Sequence, residues 1–111
     1  MQFYFIGNLI EGCKTAGPHF NPRGKTHGGP GKETRHAGDL GNIEAGADGL
    51  GVYDRQDEEV MIYGEDTVIG RSMVCHAKQD DVGTGGDDES LKTGNAGARL
   101  ACGVIGCSGP L

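Results

Sequence analysis

Three of the four histidines of this chain fall in one glycine-rich segment, and an aspartate closely follows the last of them. The pattern is H-x7-H-x8-H-x2-D, formed by His19, His27, His36 and Asp39. Imidazole nitrogen and carboxylate oxygen are typical zinc ligands, and a structural zinc ion takes four of them tetrahedrally. A Gly-Gly-Pro run at 28–30 supplies a turn, so the segment can fold around one ion. The competing interpretation is a set of solvated loop histidines.

The rest of the chain must position this long polar segment, which spans 8–39. A loop of that length is uncommon in a compact domain unless it is functional or held in place, and metal coordination could order it in place of a hydrophobic core. No window shows a sustained 3.6-residue period, so the sequence predicts an all-β fold. The candidate strands are 1–7, 40–45, 51–54, 60–63, 71–76 and 99–106, with a hairpin turn at 57–59 and a second long loop at 77–98.

Composition narrows the class of protein. A length of 111 residues predicts a single domain over 1–111, and 22 glycines with 5% aromatic residues predict many turns and a core of small aliphatic side chains. With 10 basic and 16 acidic residues the net charge is −6, which argues against nucleic acid or an anionic membrane as partner. No apolar run reaches transmembrane length. The start, MQFYFIGNLI, lacks a basic n-region, so we interpret it as a strand and expect a cytoplasmic protein.

Two stretches of the sequence carry a family resemblance. The run GCKTAGPHFNPRGKTHGGPGKETRHAGDLGNIEAGADG (12–49) resembles the zinc loop of the Cu/Zn superoxide dismutases. The run GRSMVCHAKQDDVGTGGDDESLKTGNAGARLACGVIG (70–106) resembles their electrostatic loop and last strand, and its GNAGARLACGVI portion matches a family signature almost completely. The resemblance implies a Greek-key β-barrel or sandwich with long zinc and electrostatic loops. It also implies an incomplete barrel, with about five of the family's eight strands and without the first three.

The resemblance assigns metal ligands by position. His19 matches the imidazolate that bridges copper and zinc, and His27, His36 and Asp39 match the remaining zinc ligands. His76 matches a copper ligand. The implied cofactors are therefore Zn2+ and, for the family as a whole, Cu2+.

Other positions match residues that support the family's chemistry. Asp80 matches the carboxylate that links the two metal sites, and such partners fix the orientation of a ligating imidazole. Arg99 matches the guanidinium that docks superoxide and is the implied catalytic residue, whereas Cys13 and Cys102 match an intrachain disulfide. Judged without the resemblance, Asp80 would be a solvated acid and Arg99 a surface arginine. The lysines expected to help steer the anion are Lys78 and Lys92.

The sequence departs from the family at two copper ligands. The family carries His-x-His eleven and nine residues before the first disulfide cysteine, and those positions hold Gln2 and Tyr4 here. A glutamine amide is a poor copper ligand, and a tyrosine must ionise from a pKa of about 10 to become a good one. The copper site is therefore incomplete, and we predict greatly reduced dismutase activity or none.

Three functional hypotheses remain at this point. The first is an antioxidant superoxide dismutase that converts the superoxide anion into oxygen and hydrogen peroxide. The second is a non-catalytic zinc-binding module or truncated isoform, and the third is an unstable fragment. A homodimer, or a heterodimer with a full-length relative, is compatible with the first two. A site with two histidines still binds Cu(II) adventitiously, so copper binding alone does not indicate turnover.

Overall fold

The computed structural model describes residues 1–110, and its regular structure is a small antiparallel sheet joined by long loops. The strands are β1 (Gln2–Tyr4), β2 (Ser72–His76) and β3 (Arg99–Val104), in the spatial order β1-β2-β3. A short 3-10 helix, Gly12–Ala16, lies in the first loop (8–39), and the four-residue helix α1, Ser90–Thr93, lies in the second loop (77–98). The prediction of an all-β protein is confirmed, because the helical pieces of the described chain are only five and four residues long.

The register of the sheet brings distant parts of the chain side by side. Gln2 pairs with Val74, and His76 pairs with Arg99 after a register shift at the end of β2. Because side chains alternate between the two faces of a strand, Gln2 and Tyr4 point to the same side as Val74. This face of the sheet carries the polar side chains described below.

Eight of the nine buried apolar residues of the described chain form two small clusters, one including Phe3 and the other Tyr4 of β1. One contains Phe3, Phe20, Ala37, Leu40 and Val68. The other contains Tyr4, Ala16 and Val74. Both clusters include residues from the first loop, so the loop is anchored by apolar burial at Ala16, Phe20 and Ala37 as well as by its polar groups.

Backbone hydrogen bonds also hold the first loop against β1. The amide of Phe3 donates to the carbonyl of Gly38 at 2.9 Å, and the amide of Gly38 donates to the carbonyl of Phe20 at 3.0 Å. A Cβ at Gly38 would collide with the carbonyl of Phe3, so a residue without a side chain is required here. Gly38 therefore lets the segment that carries His36 and Asp39 lie directly on the sheet.

Three predicted strands are absent from the described residues. Segments 40–45, 51–54 and 60–63 form no regular strand and contribute the isolated bridges Ala45↔Gly51 and Met61↔Thr67. The predicted hairpin turn at 57–59 is instead part of a loop. These predictions were wrong because a short alternating segment becomes a strand only beside a neighbour with which it can pair.

The loop at 57–59 is tied to the first loop by an ion pair. The guanidinium of Arg35 donates to both carboxylate oxygens of Asp57, at 2.7 and 3.1 Å. Arg35 is only 4% exposed and directly precedes His36. The extent of a single domain over 1–111 stays a prediction, and no helix within 1–110 combines the length and apolar character needed to cross a bilayer.

Candidate metal centre

The structure brings the four predicted zinc ligands together. His19, His27, His36 and Asp39 are all buried, and one ligand atom from each lies within 4.8 Å of the others. They come from three parts of the first loop, which is turned back on itself and pinned to β1 at Gly38. Convergence of four buried metal-binding side chains contradicts the interpretation of solvated loop histidines.

The spacing of these atoms matches a tetrahedral zinc site. Oδ1 of Asp39 lies 3.1 Å from Nδ1 of His19, 3.0 Å from Nδ1 of His27 and 3.2 Å from Nδ1 of His36. The Nδ1 atoms of His19 and His36 are 3.2 Å apart. A tetrahedron with metal–ligand bonds of about 2.0–2.1 Å has edges of about 3.3–3.4 Å. The donor set and its spacing therefore fit zinc.

The carboxylate of Asp39 is oriented by the backbone of its own loop. Its Oδ2 accepts hydrogen bonds from the amides of Gly28 at 2.9 Å and His36 at 2.8 Å, which leaves Oδ1 directed at the histidine nitrogens. Burial alone would raise the pKa of Asp39, but the three imidazoles beside its carboxylate outweigh it and hold this pKa well below its usual range. Asp39 is thus an anion near neutral pH, as a metal ligand must be.

His27 lies between two carboxylates. Its Nε2 donates to Oδ1 of Asp80 at 2.7 Å, and its Nδ1 faces Asp39. Although this Nδ1 is 3.0 Å from Asp39 Oδ1, the direction is wrong for a hydrogen bond, and the atom has no hydrogen-bond partner within the described chain. Burial lowers the pKa of His27, but Asp39 and Asp80 outweigh it and raise this pKa to about 9 in the absence of metal. Nδ1 of His27 and Oδ1 of Asp39 are therefore arranged as two ligands of one ion.

Asp80 is itself positioned by residues that the sequence analysis did not identify. The side chain of Asn42 donates to the Asp80 carbonyl and accepts from the Asp80 amide, both at 2.8 Å. Gly94, at the end of α1, lies directly over the bond between His27 and Asp80, and a Cβ there would collide with both side chains. The GNAG run at 94–97 was the sequence signal for this close approach.

The region where the family places copper contains two buried side chains that are not histidines. Tyr4 and Gln2 are each 1% exposed, and the Tyr4 hydroxyl lies 2.8 Å from Nε2 of His76. The amide nitrogen of Gln2 donates to Oδ2 of Asp80 at 3.2 Å. Burial raises the pKa of Tyr4 to about 12, so this phenol stays neutral at physiological pH, and burial lowers the pKa of His76. A neutral phenol and an amide committed to other partners do not fit copper.

Arg99 borders this region and is held by the loop that contains Cys13. Its NH1 donates to the Cys13 carbonyl and its NH2 to the Gly17 carbonyl, both at 2.8 Å, while its guanidinium carbon lies 4.2 Å from the centre of the Tyr4 ring. The predicted disulfide between Cys13 and Cys102 is confirmed, with the Cα atoms 5.6 Å apart. The disulfide therefore fixes the loop that orients Arg99.

The two lysines predicted to steer an anion lie in different places. Lys78 lines a cavity of about 510 Å³ beside His76, together with Gln2 and Asp80. Lys92 belongs to α1 and lines a separate groove beside His19 and His36. The structure does not bring the lysines into one patch, and their steering role stays a prediction, as do the individual metal-ligand roles.

Comparison with known proteins agrees with this geometry. The sequence model of the family described as copper/zinc superoxide dismutase (SODC) matches residues 1–105. An extracellular superoxide dismutase [Cu-Zn] of Brugia pahangi is 59% identical over 105 residues, which cover 92% of this chain and 53% of the relative. A superoxide dismutase [Cu-Zn] of Cryptococcus neoformans var. grubii is 54% identical over 108 residues, covering 97% of this chain and 70% of the relative. Superoxide dismutase [Cu-Zn] A of Xenopus laevis is 55% identical over 105 residues, covering 95% and 69%.

One of these comparisons corrects the expectation of a cytoplasmic protein. The Brugia relative is named extracellular, and this contradicts cytoplasmic residence. The expectation had rested on the lack of signal-peptide features in MQFYFIGNLI. That segment contains β1 of the sheet, so its lack of signal-peptide features does not indicate a location, and the prediction was wrong. The chain also spans only about half the length of that relative.

Proposed function

The chain belongs to the copper/zinc superoxide dismutase family, and from that premise we propose that it is a zinc-binding superoxide dismutase whose substrate is the superoxide anion. The proposal rests chiefly on one observation: three buried Nδ1 atoms lie 3.0–3.2 Å from one buried carboxylate oxygen, close to the edge length of a zinc tetrahedron. The family reaction consumes two superoxide anions and two protons and forms one oxygen and one hydrogen peroxide molecule.

The zinc site consists of His19, His27, His36 and Asp39. Bound zinc would supply a fixed positive charge and a crosslink that orders the first loop. Asp80 fixes the ring of His27 through its Nε2 hydrogen, so that Nδ1 offers its lone pair to the ion. The second carboxylate oxygen of Asp39, Oδ2, accepts hydrogen bonds from two backbone amides. These bonds direct the first oxygen, Oδ1, toward the ion.

The guanidinium of Arg99 is the group best placed to attract the anionic substrate. Two backbone carbonyls hold two of its nitrogens, and the guanidinium is stacked on a neutral ring. A fixed cation in a partly enclosed site attracts a small anion even when the whole chain is negative. This attraction should weaken as salt concentration rises.

We propose that dismutase turnover in this chain is greatly reduced. Superoxide dismutation by the family depends on a redox metal, and Gln2 and Tyr4 do not offer donors for one. The second candidate function is therefore a non-catalytic zinc-binding module. The hydrogen bond between Tyr4 and His76 favours it, because it satisfies the polar groups of the copper region without a metal.

Metal analysis and superoxide decay test the proposal together. Protein purified under metal-free conditions should bind one equivalent of zinc, and an Asp39→Asn variant should lose that binding, whereas Asp48→Asn, at an exposed position, should not. Superoxide decay after pulse radiolysis, measured beside the Xenopus relative loaded in the same way, should be far slower with this chain. Wild-type protein without stoichiometric zinc would refute the zinc site. Turnover equal to that of the relative would refute the reduced activity.

An extracellular location replaces the cytoplasmic one in this proposal. The name of the Brugia relative and the Cys13–Cys102 disulfide support it, since disulfides persist mainly in oxidising compartments. Immunodetection in culture medium and in cell lysate of the source organism separates the two locations. Protein found entirely in the lysate would contradict secretion.

We also propose that the chain associates with a second copy or with a longer relative. Leu100 and Val104 on β3 are 66% and 53% exposed, which is unfavourable for apolar side chains in water. Sedimentation velocity of the zinc-loaded chain, alone and mixed with a longer relative, tests this association. A chain that stays monomeric in both samples would contradict it.

A further inference from the structure

We infer that Tyr4 contributes to the metal specificity of this chain: its hydroxyl occupies the donor nitrogen of His76 and so weakens copper binding while zinc binding remains. The inference rests on the proposed function, because every copper measurement below starts from the zinc-loaded chain. It goes further in assigning Tyr4 an active role, since a tyrosine that merely fails to bind copper would leave His76 free to do so.

The hydrogen bonds of His76 determine whether either of its ring nitrogens can bind a metal. Its Nδ1 lies 2.8 Å from the carbonyl of Gly97, and a carbonyl can only accept, so Nδ1 carries a hydrogen. In the neutral ring, Nε2 then holds the lone pair and accepts from the Tyr4 hydroxyl at 2.8 Å. In the protonated ring, Nε2 carries a hydrogen as well. In both states the lone pair that a metal needs is unavailable.

The Tyr4 side chain is held where it makes this bond. It is 1% exposed, its ring packs edge-on against His19 at 5.0 Å between centroids, and Arg99 covers one face. Moving the hydroxyl away from His76 would leave a buried polar group without its partner, which is unfavourable. The ring therefore acts as a fixed cap.

The remaining donors near the cap are too few to hold copper. The amide nitrogen of Gln2 is committed to Asp80. Its oxygen lies 3.4 Å from the Tyr4 hydroxyl. Nε2 of His19 is buried and has no hydrogen-bond partner in the described chain, so among the imidazoles beside the cap it offers a free nitrogen. A single free imidazole nitrogen falls short of the nitrogen-rich set that Cu(II) prefers.

Zinc binding and the hydrogen bond from Tyr4 to His76 involve different atoms. Zinc would take Nδ1 of His19, whereas Nε2 of the same ring, against which Tyr4 packs, has no hydrogen-bond partner in the described chain. Removal of the Tyr4 hydroxyl should therefore change copper binding without changing zinc binding. This separation gives the proposal a readout that does not depend on catalysis.

Three variants test the proposal on the full chain already loaded with one zinc. Tyr4→Phe removes the hydroxyl and keeps the ring. Gln2→His combined with Tyr4→His supplies two further imidazoles. His76→Gln removes the capped nitrogen. Each is titrated with Cu(II) against a competing chelator, with copper followed by electron paramagnetic resonance and zinc release by a chromophoric indicator.

Wild type and His76→Gln should behave alike, and the other two variants should each differ from them. Wild type should bind copper weakly, or only with release of zinc, and His76→Gln should match it, because the nitrogen is already withheld. Tyr4→Phe should bind copper about five-fold more tightly with zinc retained, which is the factor that one buried hydrogen bond contributes to an equilibrium. The double variant should gain more than about a hundredfold, because two added imidazoles complete a four-nitrogen set.

Several outcomes would overturn the proposal. One is stoichiometric copper in wild type with zinc retained. Another is a large loss of copper affinity in His76→Gln, which would make His76 a ligand in the native chain. A third is a Tyr4→Phe variant that binds zinc normally yet binds copper no better than wild type. Failure of all variants to bind zinc, wild type included, would instead refute the proposed function.

Discussion

His27 donates its Nε2 hydrogen to Oδ1 of Asp80 across 2.7 Å, although the two residues are 53 positions apart in the chain. This bond joins the first loop, which carries the metal cluster, to the second loop, which carries Asp80. It also fixes which nitrogen of His27 is left for a metal. Ordering of the two loops and zinc binding should therefore be coupled.

Loss of the Asp80 carboxylate should weaken zinc binding without removing a ligand. In Asp80→Asn the partner of His27 becomes neutral and the ring is less firmly oriented. We expect zinc affinity to fall by about 10–100-fold. Competition with a chromophoric chelator measures the change. Asp88→Asn removes the same charge at an exposed position and should leave the affinity unchanged. Equal affinities for wild type and Asp80→Asn would contradict this role.

Gly94 should tolerate no side chain. A Cβ at this position would collide with Asp80 Oδ1 and His27 Nε2, so Gly94→Ala should displace the bond between them and lower zinc affinity at least about tenfold. Gly86→Ala is the matched control, because Gly86 has φ +83 and Gly94 has φ +65, while a Cβ at Gly86 meets no heavy atom within 4 Å. Zinc titration of both variants separates backbone strain from collision. Equal losses in the two variants would show that strain alone is responsible.

The disulfide should contribute substantially to stability. It links residues separated by 89 positions, so it restricts the unfolded chain strongly. Replacing both Cys13 and Cys102 by serine should lower the free energy of unfolding by about 2–4 kcal/mol, measured by urea denaturation of the zinc-loaded protein. Cys107→Ser, which alters an exposed free thiol, should change it little. A double variant as stable as wild type would contradict the prediction.

The phenol of Tyr4 should ionise at a higher pH than an ordinary tyrosine. Its pKa is raised by burial from 10.0 to about 12, because the buried phenolate is unfavourable. The neutral phenol therefore stabilises the fold fully below about pH 10, and this contribution is lost as pH rises through about 12. Absorbance at the tyrosinate band should show one late transition, which Tyr4→Phe removes and Tyr63→Phe, at an exposed position, retains. A titration in which Tyr4→Phe loses an ordinary transition near pH 10 would contradict the shift.

The four residues predicted as zinc ligands lie together in the structure, and the sequence could indicate this because they belong to one loop. The spacing of the donors and the glycine turns between them indicated a shared ion, and the family resemblance supported the same positions, whereas burial of the four side chains came only from the structure. The disulfide was also predicted from the resemblance. The strands at 1–7, 71–76 and 99–106 were found because each has a partner strand in the sheet, with shorter bounds in the structure.

The strands predicted at 40–45, 51–54 and 60–63 show what local pattern cannot decide. Alternation of apolar and polar residues makes a segment suitable for a strand, but pairing supplies the hydrogen bonds. In the described chain these segments form only isolated bridges. Asp57, in the predicted hairpin turn, forms an ion pair with Arg35 from the first loop. The contact between Arg35 and Asp57 spans 22 positions, so a short sequence window does not contain it.

The sequence by itself determined the donors: which histidines and carboxylates the chain can offer a metal, and which two family histidines it lacks. Only the tertiary structure decided which atoms of those side chains are free. The bond from Tyr4 to His76 spans 72 positions, and the hydrogen on His76 Nδ1 is placed by a backbone carbonyl 21 positions further on. A lone pair is available or withheld according to its neighbours in space, and those neighbours come from β1, β2 and the second loop together.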